Sequence, residues 1–191
     1  LYGEIMTHIL GYVGKINDKD VERLKKDEKF ANYSGTSDMG KLGIERYYED
    51  SLHGVTGFEE VEINNRGKVI RKLREQPAVA GKSIHLTIDL ELQRYITELL
   101  SGQKGAIIVL DPKDSGVLAM VSTPSYDNNL FVDGISSEDY KRLLNDPARP
   151  LYSRATQGVY PPASTVKPFI SEAAQTENVI TQNTTIFDPG Y

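Results

Sequence analysis

The chain has 191 residues, 39% hydrophobic and 26% charged, an ordinary globular composition with room for one large or two small domains. Its 27 acidic against 22 basic side chains give a net charge of −5, which argues against nucleic acid as a partner, because no excess of cations is present to displace counterions. Cysteine is absent, so disulfides and thiolate metal sites are excluded, and no stretch approaches the roughly 20 apolar residues that cross a bilayer, so any membrane anchor lies outside these residues.

In chain order, residues 11–16 read as a glycine-interrupted strand, and Asp18 or Lys19 opens a short helix that runs to about Lys26. Residues 30–39 are loop-like. Residues 43–52 read as one helix, with Ile44, Tyr47, Tyr48 and Leu52 on a shared stripe and Gly54 as its stop. Asn64-Asn65-Arg66-Gly67 predicts a hairpin between residues 55–63 and 68–73, since Asn and Gly tolerate the positive φ of the turn. Alternation of His85, Thr87 and Asp89 with Ile84, Leu86 and Ile88 predicts a half-buried strand, after which Asp89 caps an amphipathic helix over residues 90–100.

At Gly105 the character changes. Two apolar runs, residues 106–110 and 117–121, flank a short Asp-Pro turn and must pair antiparallel. Ser136-Ser137-Glu138-Asp139 has capping-box spacing ahead of a helix to about Leu144, and residues 146–162, with four prolines, read as a long loop. His8, His53 and His85 have no metal-ligand spacing and read as surface or structural residues.

The loop delivers Ser164-Thr165-Val166-Lys167, a Ser-x-x-Lys pattern at the mouth of a helix. Residues three apart share a helix face, so the lysine amine reaches toward the serine oxygen and, if neutral, can take its proton. That needs a depressed lysine pKa, which burial and neighbouring dipoles produce. Ser101-Gly102-Gln103-Lys104 has the same spacing, but Gly102 closes the preceding helix, so this pair reads as a polar helix stop. From the residues alone, Ser164 is either a nucleophile or a plain helix cap.

Four stretches carry a family likeness: residues 43–54 around Gly43-Ile44-Glu45-Arg46-Tyr47-Tyr48, residues 64–70, residues 110–127 from Leu110-Asp111-Pro112 to Ser125-Tyr126-Asp127, and residues 154–162 from Arg154-Ala155-Thr156 to Pro161-Pro162. On these the chain resembles the class B penicillin-binding proteins over nearly its full length. The resemblance implies an α+β fold: residues 1–104 as a non-catalytic pedestal of short strands and helices, and residues 105–191 as the truncated start of a transpeptidase (β-lactamase-like) domain with a central antiparallel sheet. It implies a serine peptidoglycan D,D-transpeptidase that crosslinks stem peptides through an acyl-enzyme, is acylated by β-lactam antibiotics and serves cell elongation and rod shape. Ser164 is then the nucleophile and an oxyanion-hole donor through its own N–H, and Lys167 the general base. The implied partner is a membrane glycosyltransferase of the elongation machinery docked on the pedestal, with exposed positions near Glu45 and Glu49 as the surface to probe. The implied location is the periplasmic face of the bacterial inner membrane.

Two positions depart from the family pattern. Ala163 stands where relatives usually carry glycine, so a left-handed backbone there is strained. Asn128 stands where proline is frequent, a loop change expected to matter little. The family's Ser-x-Asn and Lys-Ser/Thr-Gly motifs do not occur in these residues, so the chain is expected to be an excised fragment, inactive alone. No cofactor is implied for these residues. A zinc site known in some relatives would draw on Asp188, which as a lone carboxylate reads instead as an Asp-Pro turn residue. Two other readings share the residues: a β-lactamase or penicillin-sensing serine acyl enzyme, and a pedestal acting purely as an interaction module.

Overall fold

The computed structural model describes residues 2–190, which divide into two compact units between Gln157 and Gly158. In the first unit the elements are α1 (Thr7–Leu10), β1 (Val13–Lys15), α2 (Asp18–Lys26), β2 (Asp38–Gly40), α3 (Gly43–Tyr47), α4 (Glu49–Leu52), β3 (Phe58–Ile63), β4 (Val69–Gln76), α5 (Leu90–Leu99), β5 (Gly105–Leu110), β6 (Val117–Thr123), α6 (Ser137–Asn145) and α7 (Arg154–Gln157). The second unit holds α8 (Lys167–Thr176), entered through a 3-10 turn, Ala163–Val166. The strands form three antiparallel pairs, β1 with β2, β3 with β4 and β5 with β6.

Helix α2 starts where a capping box closes. Asn17 Oδ1 accepts the Asp20 N–H at 3.0 Å while Asp20 Oδ2 accepts the Asn17 N–H at 3.1 Å. Its inner face places Leu24 against Tyr33 and Met39, with Ile16 at the edge. Asp20 also pairs with the Lys41 ammonium and lies 3.6 Å from Arg23. Burial pushes its carboxyl up, but Lys41, the Asn17 amide and Arg23 outweigh that and hold it below the ordinary carboxylate value.

The expected helix over residues 43–52 is two short helices broken at Tyr48. The break has a tertiary cause. Glu49 is drawn inward to accept the Gly40 N–H at 2.8 Å and the Tyr33 hydroxyl at 3.0 Å, and α3 approaches β2 so closely that a Cβ on Gly40 would lie 2.2 Å from the Glu45 carbonyl oxygen. Both Glu49 carboxylate oxygens are thus engaged within the fold. The β3–β4 hairpin forms as predicted: Asn64 Oδ1 accepts the Arg66 and Lys68 N–H groups, and Gly67 takes φ 74°.

Residues 84–89 do not form the expected strand. They run beside β6 but share with it one backbone bond, Asp89 N–H to Leu118 O at 2.9 Å, and one side-chain bond, Thr87 Oγ1 to Val117 O at 2.7 Å, too few for a ladder. Asp89 does cap α5, accepting the Glu91 and Leu92 N–H groups at 3.0 Å. Helix α5 then packs on β6, where Ile96, Ala119 and Val121 form a buried cluster flanked by Leu92, Leu100, Ile107 and Val109. The β5–β6 pairing itself matches the sequence reading.

Gln93, fully buried, completes this contact. Its Oε1 accepts the Met120 N–H at 2.8 Å, and its Nε2 donates to the Met120 and Ile5 carbonyls, each at 2.9 Å. One amide thus satisfies the free edge of β6 where a further strand would have done so. Residues before β1 are fastened to the segment after β6 in the same way: Thr7 Oγ1 donates to Tyr126 O at 2.8 Å, and Tyr12 stacks on Phe131 with ring centres 4.2 Å apart. Asn128 belongs to this seam, its amide donating to Gly11 O at 2.7 Å, so the departure expected to be inert carries a specific contact.

Candidate active site

Pro161 and Pro162 keep the chain out of helix until Ala163, and there the backbone turns left-handed, at φ 47°. A non-glycine residue in that region costs about 1–2 kcal/mol, which is the strain the sequence suggested. From Ala163 the chain enters the 3-10 turn, with the Thr165 N–H donating to Pro162 O at 3.2 Å. The Lys167 N–H then donates to Ser164 O, and α8 continues with Pro168 in its first turn, where a missing N–H costs nothing.

Ser164 and Lys167 are therefore i and i+3 across one 3-10 bond, the spacing at which side chains eclipse. Among the described residues the Ser164 N–H has no hydrogen-bond partner, as befits the first residues of a helical run. Both Ser164 and Lys167 are exposed, and no hydrogen bond joins their side chains. Helix α8 buries none of its residues within this unit.

Helix α8 ends where Asn178 takes φ 57° and the Val179 N–H returns to Ala174 O at 2.9 Å, an asparagine stop readable from sequence. Asp188 Oδ1 accepts the Gly190 N–H at 2.9 Å, and among the described residues no three His, Cys, Asp or Glu side chains gather as a metal site. The residues present do not fit zinc. Lys104, of the second Ser-x-x-Lys, lies beyond α5 and reaches Pro147 O at 3.4 Å, away from any partnership with Ser101.

Sequence reasoning missed the ordered stretch ahead of the serine. Helix α7 lies within residues expected to be irregular, and Arg154 at its start donates its N–H to the buried Ser122 hydroxyl at 2.8 Å. The two compact units separate after Gln157, and within the first α5, β5 and β6 share one core.

A penicillin-binding protein dimerisation domain model matches residues 1–86, and a penicillin-binding protein transpeptidase domain model matches residues 105–191. The chain is 87% identical over 191 residues to the peptidoglycan D,D-transpeptidase MrdA of Haemophilus influenzae and 67% identical over 190 residues to that of Escherichia coli K12. Those matches take in all of this chain and 29% and 30% of the two relatives, so the chain spans less than a third of their length. Among solved structures, Pseudomonas aeruginosa PBP2 in complex with WCK 5153 matches at TM-score 0.84 and 43% identity, over 99% of this chain and 37% of that one. PBP2 in complex with MreC, from Helicobacter pylori, matches at TM-score 0.85 and 30% identity, over 96% of this chain and 33% of that one.

Proposed function

Because the chain belongs to the penicillin-binding proteins, we propose that the protein it is part of is a serine D,D-transpeptidase of peptidoglycan, with Ser164 as nucleophile and Lys167 as its base. The observation that carries this is the 3-10 turn that sets the two residues on one face, with a free Ser164 N–H at the head of α8. In the reaction the Ser164 hydroxyl adds to the carbonyl of the penultimate D-alanine while Lys167 takes its proton. The tetrahedral oxyanion accepts from the Ser164 N–H, the terminal D-alanine leaves with a proton, and the acyl group passes to an amine of a neighbouring stem peptide. β-Lactams enter by the same addition and remain on the serine.

Removal of one oxyanion donor costs about 10²- to 10³-fold in rate. The Ser-x-Asn and Lys-Ser/Thr-Gly motifs that supply the remaining groups are not among these 191 residues, so the isolated chain is expected to be inactive. In this reading residues 1–104 are the pedestal and residues from 105 the catalytic domain, and the enzyme works at the periplasmic face of the inner membrane in cell elongation. Its partners there are a wall-polymerising glycosyltransferase and a protein similar to MreC, the latter supported by the PBP2–MreC complex among the similar structures.

The test is the intact mass of the full-length protein after β-lactam treatment. Wild type gains one drug mass and Ser164→Ala gains none; an adduct that persists on Ser164→Ala puts the nucleophile elsewhere.

A further inference from the structure

The turn that carries Ser164 is wound as 3-10 and not as α, and the reason lies four residues further on. In an α-helix the Ser164 carbonyl would accept the N–H of residue 168, which is Pro168 and has none. The carbonyl accepts the Lys167 N–H instead, the bond of a 3-10 turn, and Val166 has the matching ψ of −18°. Upstream, the left-handed Ala163 at φ 47° keeps regular helix from reaching back past the serine. The serine turn is thus bracketed, by Ala163 before it and by Pro168 after it.

The choice of winding changes how two side chains three residues apart project. A 3-10 turn rotates about 360° and rises about 6 Å over those three steps, so the Cβ atoms eclipse. An α turn rotates about 300° and rises about 4.5 Å, which leaves them about 60° apart around the axis and about 1.5 Å closer along it. Pro168 acts through its missing N–H rather than by pressing on its neighbour, since Lys167 keeps helical φ −58° and ψ −40° in spite of the ring that follows it. The proline is itself exposed, so burial within this unit does not account for it. We infer that Pro168 is a positioning residue for acylation: by withholding an N–H from the Ser164 carbonyl it keeps the serine turn 3-10, and thereby fixes the rotation and rise between the points from which the Ser164 hydroxyl and the Lys167 amine project.

The inference rests on Ser164 being the nucleophile and Lys167 its base. It is tested in the full-length protein by stopped-flow acylation with a fluorescent penicillin, separating the non-covalent Kd from the acylation constant k2, with melting temperature measured alongside. Pro168→Ala restores the N–H and lets the turn rewind as α; it is expected to lower k2 by about 10- to 100-fold with Kd within about twofold, since misplacement by about 1 Å suffices for such losses. Lactic acid incorporated at position 168, the α-hydroxy analogue of alanine, has an ester oxygen in place of the N–H and no ring, and is expected to keep k2 within about threefold of wild type. A Pro168→Ala protein with k2 within about twofold of wild type overturns the inference, whatever its melting temperature. A lactate variant as slow as Pro168→Ala overturns it equally, because the ring and not the missing N–H would then be what matters. If Pro168→Ala fails to fold, Pro168→Ser, which also restores the N–H, is read in its place against the same outcomes. Labelled Ser164→Ala defeats the nucleophile assignment and the inference with it, whereas unlabelled Ser164→Ala beside a full-speed Pro168→Ala defeats only the role of Pro168.

Discussion

Around Gln93 a buried amide pairs with main-chain groups 27 and 88 residues away, and Ile96, Ala119 and Val121 close over the contact. Within residues 158–190 the hydrogen bonds join residues only a few positions apart, and Phe169, Ile170 and Phe187 stand 75, 60 and 87% exposed. The first region is shaped by long-range burial and the second by turn chemistry: two prolines, a left-handed alanine and a 3-10 bond. The Ser164–Lys167 spacing therefore requires only local sequence, whereas the scaffold stands or falls as a cooperative core.

Substitutions in the two regions should then differ sharply, and the largest effect is expected at Gln93. Gln93→Leu leaves the Met120 N–H and the Met120 and Ile5 carbonyls without partners and should cost about 3 kcal/mol. A urea-midpoint shift corresponding to less than about 1 kcal/mol would show that the clasp contributes little. Lys41→Met strands the Asp20 carboxylate in its buried position and should cost about 2 kcal/mol by the same measurement.

Acid should act on the scaffold. Asp20 is held below its ordinary value of 3.8, so the stability it contributes is present above that pH and is lost as pH falls through its lower folded value. Burial and the Arg154 cation hold His8 below 6.5, against the pull of the Pro124 and Pro150 carbonyls, and its Nε2 is buried without a partner. Its contribution is present above pH 6.5 and declines as pH drops below that value. Melting temperature followed from pH 7.5 to 5 should fall in wild type and fall less in His8→Phe; equal slopes would remove His8 from the account.

In the serine segment effects should be small. Ala163→Gly relieves about 1–2 kcal/mol of left-handed strain but returns about 0.4–1 kcal/mol of chain entropy to the unfolded state, leaving a gain of about 0.5 kcal/mol. Phe169→Ser, on the exposed face of α8, should move the stability of the 191-residue chain by less than about 0.5 kcal/mol. A loss above about 2 kcal/mol at Phe169 would mean that this helix is packed like α5 and would erase the contrast.

Legibility in the sequence follows the same division. The hairpin turn at Asn64 and Gly67, the caps at Asp89 and Ser136, and the helix mouth at Ser164 are all written in residues next to the features they make. What could not be read is what distant partners decide. A glutamine on an amphipathic helix looks solvent-facing until β6 presents an unpaired edge to it, and Glu49 looks exposed until Gly40 and Tyr33 claim its oxygens. Residues 84–89 alternate like a strand, yet they make only one backbone–backbone bond to β6, from the Asp89 N–H, with Thr87 adding one side-chain bond. The order ahead of the serine depends on Arg154 meeting carbonyls five and six residues back and a serine 32 residues back, a combination that no local pattern announces.

The account depends most on Ser164 and Lys167 acting as one unit from a single turn. Acylation rates of the full-length protein measured for Lys167→Ala, Ser164→Ala and the double variant test this directly. Residues that share one step are non-additive, so Lys167→Ala should lose acylation by at least about 10³-fold and the double variant should be no worse than Ser164→Ala. A Lys167→Ala protein acylated within about tenfold of the wild-type rate would contradict the pairing.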